Sequence, residues 1–244
     1  MNILKVFSEH EALSLNEICE ITNIPKTSVV RMVSSLEEMG FLVRQEDRKY
    51  ALGLMFLHFG QLVSERMDVR KIALPIMYNL RDQINEAVNL IIPDGNEAIY
   101  VEKVDTSQMV RVYTRIGRRA PFYAGACPRI LLAFMPDDRR DQYLDSVDLK
   151  KIASGTIVDK YELYQLLSES RKTGYAVSFS ELEDGSAAVA APIRNHEGNV
   201  IAAISIAGPE SRFREYLLQN LVDRVLQAAL QISLKLGWYS DGIN

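Results

Sequence analysis

Residues 14–40, S-LNEICEITNIPKTSVVRMVSSLEEMG, constrain the fold most tightly, because their local signals demand two short helices joined by an abrupt turn. Ser14 followed by Glu17 is the S-x-x-E pattern in which each side chain caps the other's backbone N–H, and it starts a helix at Leu15. Leu15, Ile18 and Cys19 give that helix an apolar stripe. Asn23-Ile24-Pro25 ends it: asparagine tolerates left-handed backbone, and proline suits the first turn of the next helix. In that second helix Val29, Met32, Val33 and Leu36 recur at helical spacing and are expected to face inward. Lys26, Thr27, Ser28, Arg31 and Ser35 are left outside, the short polar and cationic types that contact phosphates and base edges.

The next residues complete the motif. Phe41–Arg44 and Lys49–Leu52 read as two short strands around Gln45–Arg48, so Arg44, Arg48 and Lys49 place positive charge on a hairpin. This is the outline of a winged helix-turn-helix, which lays its second helix in the major groove while the wing grips the backbone or minor groove. The rival reading is a small helical module that docks another protein, its charges merely solvated. Of the basic residues up to Leu52 (Lys5, Lys26, Arg31, Arg44, Arg48, Lys49), all but Lys5 fall on the elements that would touch DNA. Double-stranded DNA is therefore the expected partner, read as a palindromic operator by a homodimer.

At 244 residues the chain exceeds one typical domain. Its net charge of −4 excludes an indiscriminate polyanion binder, so DNA affinity must come from a local patch. Cys19 and Cys127 lack disulfide or zinc spacing, and His10, His58 and His196 are scattered, so neither a metal nor another cofactor is expected. No apolar run can span a bilayer, and the N-terminus lacks a secretory pattern; a cytoplasmic protein without membrane contact is expected.

Three segments follow: a winged helix-turn-helix over 1–53, a connector and dimerisation helix over 54–67, and an α+β domain over 68–244. The connector, with Leu54, Phe56, Leu57, Leu62 and Val63, is too apolar all round for a solvent-facing helix. Asp68 reads as the N-cap of a helix through Asn85, in which Pro75 marks a kink or a delayed start. AVNLIIP and AIYVEKV form a hairpin turning at Asp94-Gly95-Asn96, and Met109–Ile116 alternates like a third strand. Pro128–Met135 and Lys160–Lys172 read as helices, the second capped by Gly174. Tyr175–Phe179, Ala187–Arg194 and Val200–Ala207 read as strands, and one long helix over Ser211–Leu236 closes the chain at Gly237. Glu181, Glu183 and Asp184 read as a solvated turn.

With these segments in view, the chain resembles the isocitrate lyase regulator (IclR) family of bacterial transcription factors, and within it the kip-operon regulator subgroup. The resemblance spans nearly the whole length. It rests on IPKTSVVRMVSSLEEMGFL, RIGRRAPFYAGACPRILLAF, GYAVSFSELEDGSAAVAAPI and VIAAISIAGPESRF, in that order. It implies a GAF-like C-terminal domain that binds a small effector, often a carboxylate, and dimers that can pair into tetramers. It also implies repression as the commoner role, and an N-terminus that begins inside the first expected helix.

Residue by residue, the implied effector pocket takes Met109, Ala120, Ala126 and Cys127 on one side and Ser178, Ser186, Ala188, Ser205 and Ala207 on the other. The turn before Pro128 can present backbone N–H groups to an anion, and Arg111, Arg115 and Arg129 are candidates to pair with one. For the alanines, close packing is the plainer explanation. The family often has an acidic residue where Ser178 stands, cysteine where Ala188 stands, serine where Ala207 stands, glycine where Pro128 stands and lysine where Arg129 stands. The pocket should therefore prefer a different ligand from that of better-known members. A thiol enzyme built on Cys127 is the rival class, but no resolving cysteine or adjacent histidine supports it.

Overall fold

The computed structural model describes residues 3–66, 69–214 and 218–239. The chain divides into two compact units, Met1–Met67 and Asp68–Asn244.

The first unit runs through a 3-10 segment Ile3–Ser8, α1 (Leu15–Thr22), α2 (Lys26–Glu38), β1 (Leu42–Arg44), β2 (Tyr50–Leu52) and α3 (Met55–Arg66). Ser14 caps α1 reciprocally: Glu17 N–H donates to Ser14 Oγ (3.3 Å), and Ser14 N–H donates to Glu17 Oε2 (2.7 Å). Asn23 takes the left-handed backbone (φ 55°) that ends α1. Ile18, Val29, Val33 and Leu42 are sealed in a core that also holds Ile3, Val6 and Phe7. Met32 departs from expectation, being 43% exposed. Val29, Val33 and Leu36, at i, i+4 and i+7, make one inward stripe, and Met32 lies beside that stripe rather than on it. β1 and β2 pair antiparallel with Val43 opposite Ala51. Phe41, just before β1, stacks on Phe59 and meets Phe56 edge-on, which anchors α3 to the base of the wing.

The second unit contains α4 (Val69–Ile84), β3 (Ala87–Asp94), β4 (Glu97–Val104), β5 (Arg119–Pro121), α5 (Ala126–Phe134), α6 (Asp137–Ser146) and α7 (Lys160–Thr173). It continues through β6 (Ala176–Phe179), β7 (Ser186–Arg194), β8 (Val200–Pro209), α8 (Glu210–Arg214) and α9 (Leu218–Lys235). Six strands form one antiparallel sheet in the order β5-β4-β3-β8-β7-β6. Ile91, Ala190 and Ala203 share a core with α5 and α7. Alternate residues such as Val189 and Ile204 are equally buried, and α4 and α9 cover that other face. The architecture is mixed α+β, as the sequence implied.

Several elements differ from the sequence-based expectation. Met109–Ile116 is not a strand but an irregular segment whose Met109, Val110, Tyr113 and Ile116 face solvent. Alternation makes a strand only where a partner strand pairs with it, and this segment pairs with none of the six strands but links β4 to β5. α6 carries only Tyr143 and Leu144 as buried side chains, too sparse a pattern to read. The closing helix is α8 followed by α9, with 215–217 outside the described residues. α4 starts six residues before Pro75, so proline does not delay it; the expected cap Asp68 lies outside the described residues. Among the described residues no helix is long and apolar enough to cross a membrane, and no cluster of side chains could hold a metal ion.

Candidate nucleic-acid interface and effector cavity

α2 carries two stripes with the same spacing. Val29, Val33 and Leu36 face the core, whereas Thr27, Arg31 and Ser34 occupy the opposite side and are exposed. Ser28 is half-buried, Lys26 and Ser35 are exposed, and the Ser35 hydroxyl donates to the Arg31 carbonyl (3.1 Å). Ser34 was missed by the sequence reading, although the helical spacing from Thr27 and Arg31 pointed to it. On the wing Arg48 sits at the loop tip in left-handed backbone (φ 65°), and Arg44 lies over the Tyr50 ring at 5.9 Å. Lys49 is less available than expected: its Nζ is 3.8 Å from Glu17 Oε1. The Glu17 carboxyl is held below the usual carboxylate range, chiefly by the Ser14 backbone N–H it accepts. Among the described residues Lys26, Arg31 and Arg48 enter no ion pair, and all three are exposed.

In the second unit the sheet and the start of α5 line a small cavity of about 40 Å³, open on one side. Its floor is built of small side chains in register. Ser178, Ala188 and Ala207 are cross-strand neighbours in one row, and Ala190, Ser205 and Asn89 in the next. Gly125, Ala126 and Cys127 at the start of α5 form one wall, Leu182 and Glu183 another, and Val112, Thr114 and Arg118 complete the lining. Gly125 needs its positive φ (86°), and a Cβ there would sit 2.7 Å from Leu182 Cδ1. The structure thus brings Ala126, Cys127, Ser178, Ser186, Ala188, Ser205 and Ala207 together. It does not bring Met109, which is 95% exposed on the irregular segment, nor Ala120, which is packed in the core on β5. Asn89, Tyr100, Thr114, Arg118 and Glu183 also line the cavity and were not foreseen. The one signal for Asn89 was a polar residue inside the apolar run AVNLIIP.

The charges around the cavity are already matched. Arg129 is buried and its Nη1 donates to both Glu181 oxygens, at 2.5 and 2.6 Å, while its Nη2 donates to the Val177 carbonyl. Glu181 also accepts the Gly125 N–H at 2.8 Å. The turn expected to be solvated is therefore buried at Glu181, because that carboxylate serves both Arg129 and the start of α5. Arg118 donates to Glu183 at 2.6 Å. Arg111 and Arg115 are exposed and belong to the irregular segment. Burial pushes the Cys127 thiol up to about 12, only partly offset by the Ser205 hydroxyl, so it stays protonated at neutral pH and is no nucleophile.

Comparison with known proteins agrees with this arrangement. Residues 1–46 match the IclR helix-turn-helix domain, and residues 61–234 match the family described as bacterial transcriptional regulator IclR C-terminal. The chain is 54% identical over 238 residues to the HTH-type transcriptional regulator KipR of Bacillus subtilis, covering 98% of this chain and 95% of KipR. It is 30% identical to the regulator KdgR of Escherichia coli, over 97% of this chain and 90% of KdgR. Among solved structures, the Thermotoga maritima IclR is 32% identical with a TM-score of 0.68, covering 97% of this chain and 96% of that one. An IclR homolog from Microbacterium hydrocarbonoxydans, complexed with 4-hydroxybenzoate, is 27% identical with a TM-score of 0.63, covering 96% and 95%. These relatives are transcriptional regulators, not enzymes. A winged helix-turn-helix followed by an effector-binding α+β domain, matched over nearly its whole length, places this chain in the IclR family of bacterial transcriptional regulators, beside the KipR-like members.

Proposed function

We propose that this chain acts in the cytoplasm as a dimeric repressor, placing two α2 helices in successive major grooves of a palindromic operator and changing its grip when the cavity of the second unit is filled. The observation that carries the reading is the exposed stripe Thr27, Arg31 and Ser34 with Lys26 beside it, without an ion pair among the described residues and followed in the chain by the cationic wing. Arg31 is the candidate for a base edge, with Lys26, Thr27, Ser28, Ser35, Arg44, Arg48 and Lys49 positioning the backbone. Dimerisation is supported by the start of α3, where Leu57 (73% exposed), with Leu54 (83%) just before the helix, leaves apolar surface exposed to water. A single winged helix makes few contacts, and two half-sites read together supply the missing affinity. Repression is the simpler sign, since occupying an operator blocks transcription without contact to the polymerase. Effector coupling of about 1–3 kcal/mol would shift occupancy several-fold to over a hundredfold.

Selection from a random duplex pool, run with wild type and Arg31→Ala, tests the reading. Wild type should enrich a two-fold symmetric sequence. Arg31→Ala should blur one base in each half-site, at a cost of about 1–3 kcal/mol, and leave the rest of the motif intact. Enrichment that is indifferent to Arg31 would remove that residue from the interface. No enrichment at all, at low salt and with folded protein, would return the winged helix to the protein-docking reading.

A further inference from the structure

Free charge is scarce around the cavity. Arg129 is committed to Glu181, and Arg118 to Glu183. The start of α5 would ordinarily attract an anion, but one of its N–H groups, that of Gly125, already serves Glu181. An incoming carboxylate would meet the resident Glu183 carboxylate and no unpaired cation in the cavity wall. Asn89 presents the opposite case. It is 1% exposed, lines the cavity from near the start of β3, and its amide oxygen has no hydrogen-bond partner among the described residues. Buried carboxamides are normally satisfied, so an unmet one at a cavity wall signals a missing partner. The nitrogen and oxygen of the group exchange by a half-turn, so Asn89 offers a ligand either a donor or an acceptor. Ser205 stands beside it in register, and the Ser178 and Thr114 hydroxyls line the same space. Such a wall gives and accepts hydrogen bonds without carrying unbalanced charge.

From this geometry we infer that the effector is a compact uncharged molecule bearing at least one N–H or O–H donor and one oxygen acceptor, held by Asn89 and the neighbouring hydroxyls. The inference rests on the effector-binding reading of the second unit. It departs from the carboxylate expected of the sequence because the arginine candidate that is buried there, Arg129, is already neutralised inside the protein.

Thermal unfolding of the full chain with matched probes tests it: propionamide against propionate, and lactamide against lactate, at equal concentration and ionic strength. The amides should raise Tm by about 3 °C at ten times their Kd, the carboxylates should not, and Asn89→Leu should abolish the response. Leucine exchanges an unpartnered amide for an apolar group of similar volume, so that variant is expected to fold; should it not, Ser205→Ala carries the same comparison through a weakened response. A larger rise with the carboxylates, no response to either class, or an undiminished amide response in the variant would overturn the inference. Operator binding by the ligand-free protein is measured alongside. If it persists while the probes fail, only the ligand class is wrong; if it is absent, the regulator reading itself fails.

Discussion

Arg129 and Glu181 are both buried, and among the described residues each is the other's only compensating charge. Taking two ions out of water is costly, and their attraction repays it only because the carboxylate also serves the Gly125 N–H and the guanidinium also serves the Val177 carbonyl. Removing one partner strands the other. Glu181→Leu should therefore lower unfolding free energy by about 3–5 kcal/mol in urea titration, whereas Glu181→Leu combined with Arg129→Met should recover much of it. A single variant within about 1 kcal/mol of wild type would show that water already reaches the pair. Nothing in the local sequence gave this pairing away, because the residues are far apart in the chain and meet only when the turn after β6 folds over the start of α5. Asn89 was hidden for the same reason. Its environment is set by strands from the other end of the domain, whereas the small residues around Ser178 and Ser205 were reached through the family resemblance.

Elements whose ends carry their own signals were legible before any packing was known. α1 begins at a reciprocal cap and stops at a left-handed asparagine, and both signals lie within a few residues of where they act. Gly174 closes α7 in the same way. By contrast, Met109–Ile116 has a strand's alternation without a strand's partner, and α6 is a helix whose two buried side chains, Tyr143 and Leu144, make no apolar stripe. Pairing is a property of the sheet, not of the segment. The cap on α1 makes a specific expectation. Ser14→Ala should cost about 1 kcal/mol. The folded pKa of Glu17 is depressed, so its contribution is present above the ordinary glutamate range and lost as pH falls through the lower folded value. Glu17→Gln should accordingly flatten the dependence of Tm on pH in that acid window, and an unchanged slope would remove Glu17 from the linkage.

At the scale of the whole molecule, the chain must join a reader of DNA to a sensor, and α3 and α4 are consecutive across the boundary between the two units. If α3 is a dimer contact, Leu57→Glu should convert the dimer to monomer in sedimentation velocity and weaken operator binding far more than a rim substitution would, since both half-sites are then lost as a pair. A variant that sediments like wild type would move the interface elsewhere. Leu57 is 73% exposed, so the substitution should leave the monomer fold unharmed. The two stripes of α2 carry a last consequence. The residues that hold the fold, Val29, Val33 and Leu36, share no position with Thr27, Arg31 and Ser34 on the outward side. A lineage can rewrite the outward stripe without opening a void in the core, so duplicated copies of such a gene are free to acquire new genomic addresses while inheriting the same sensor.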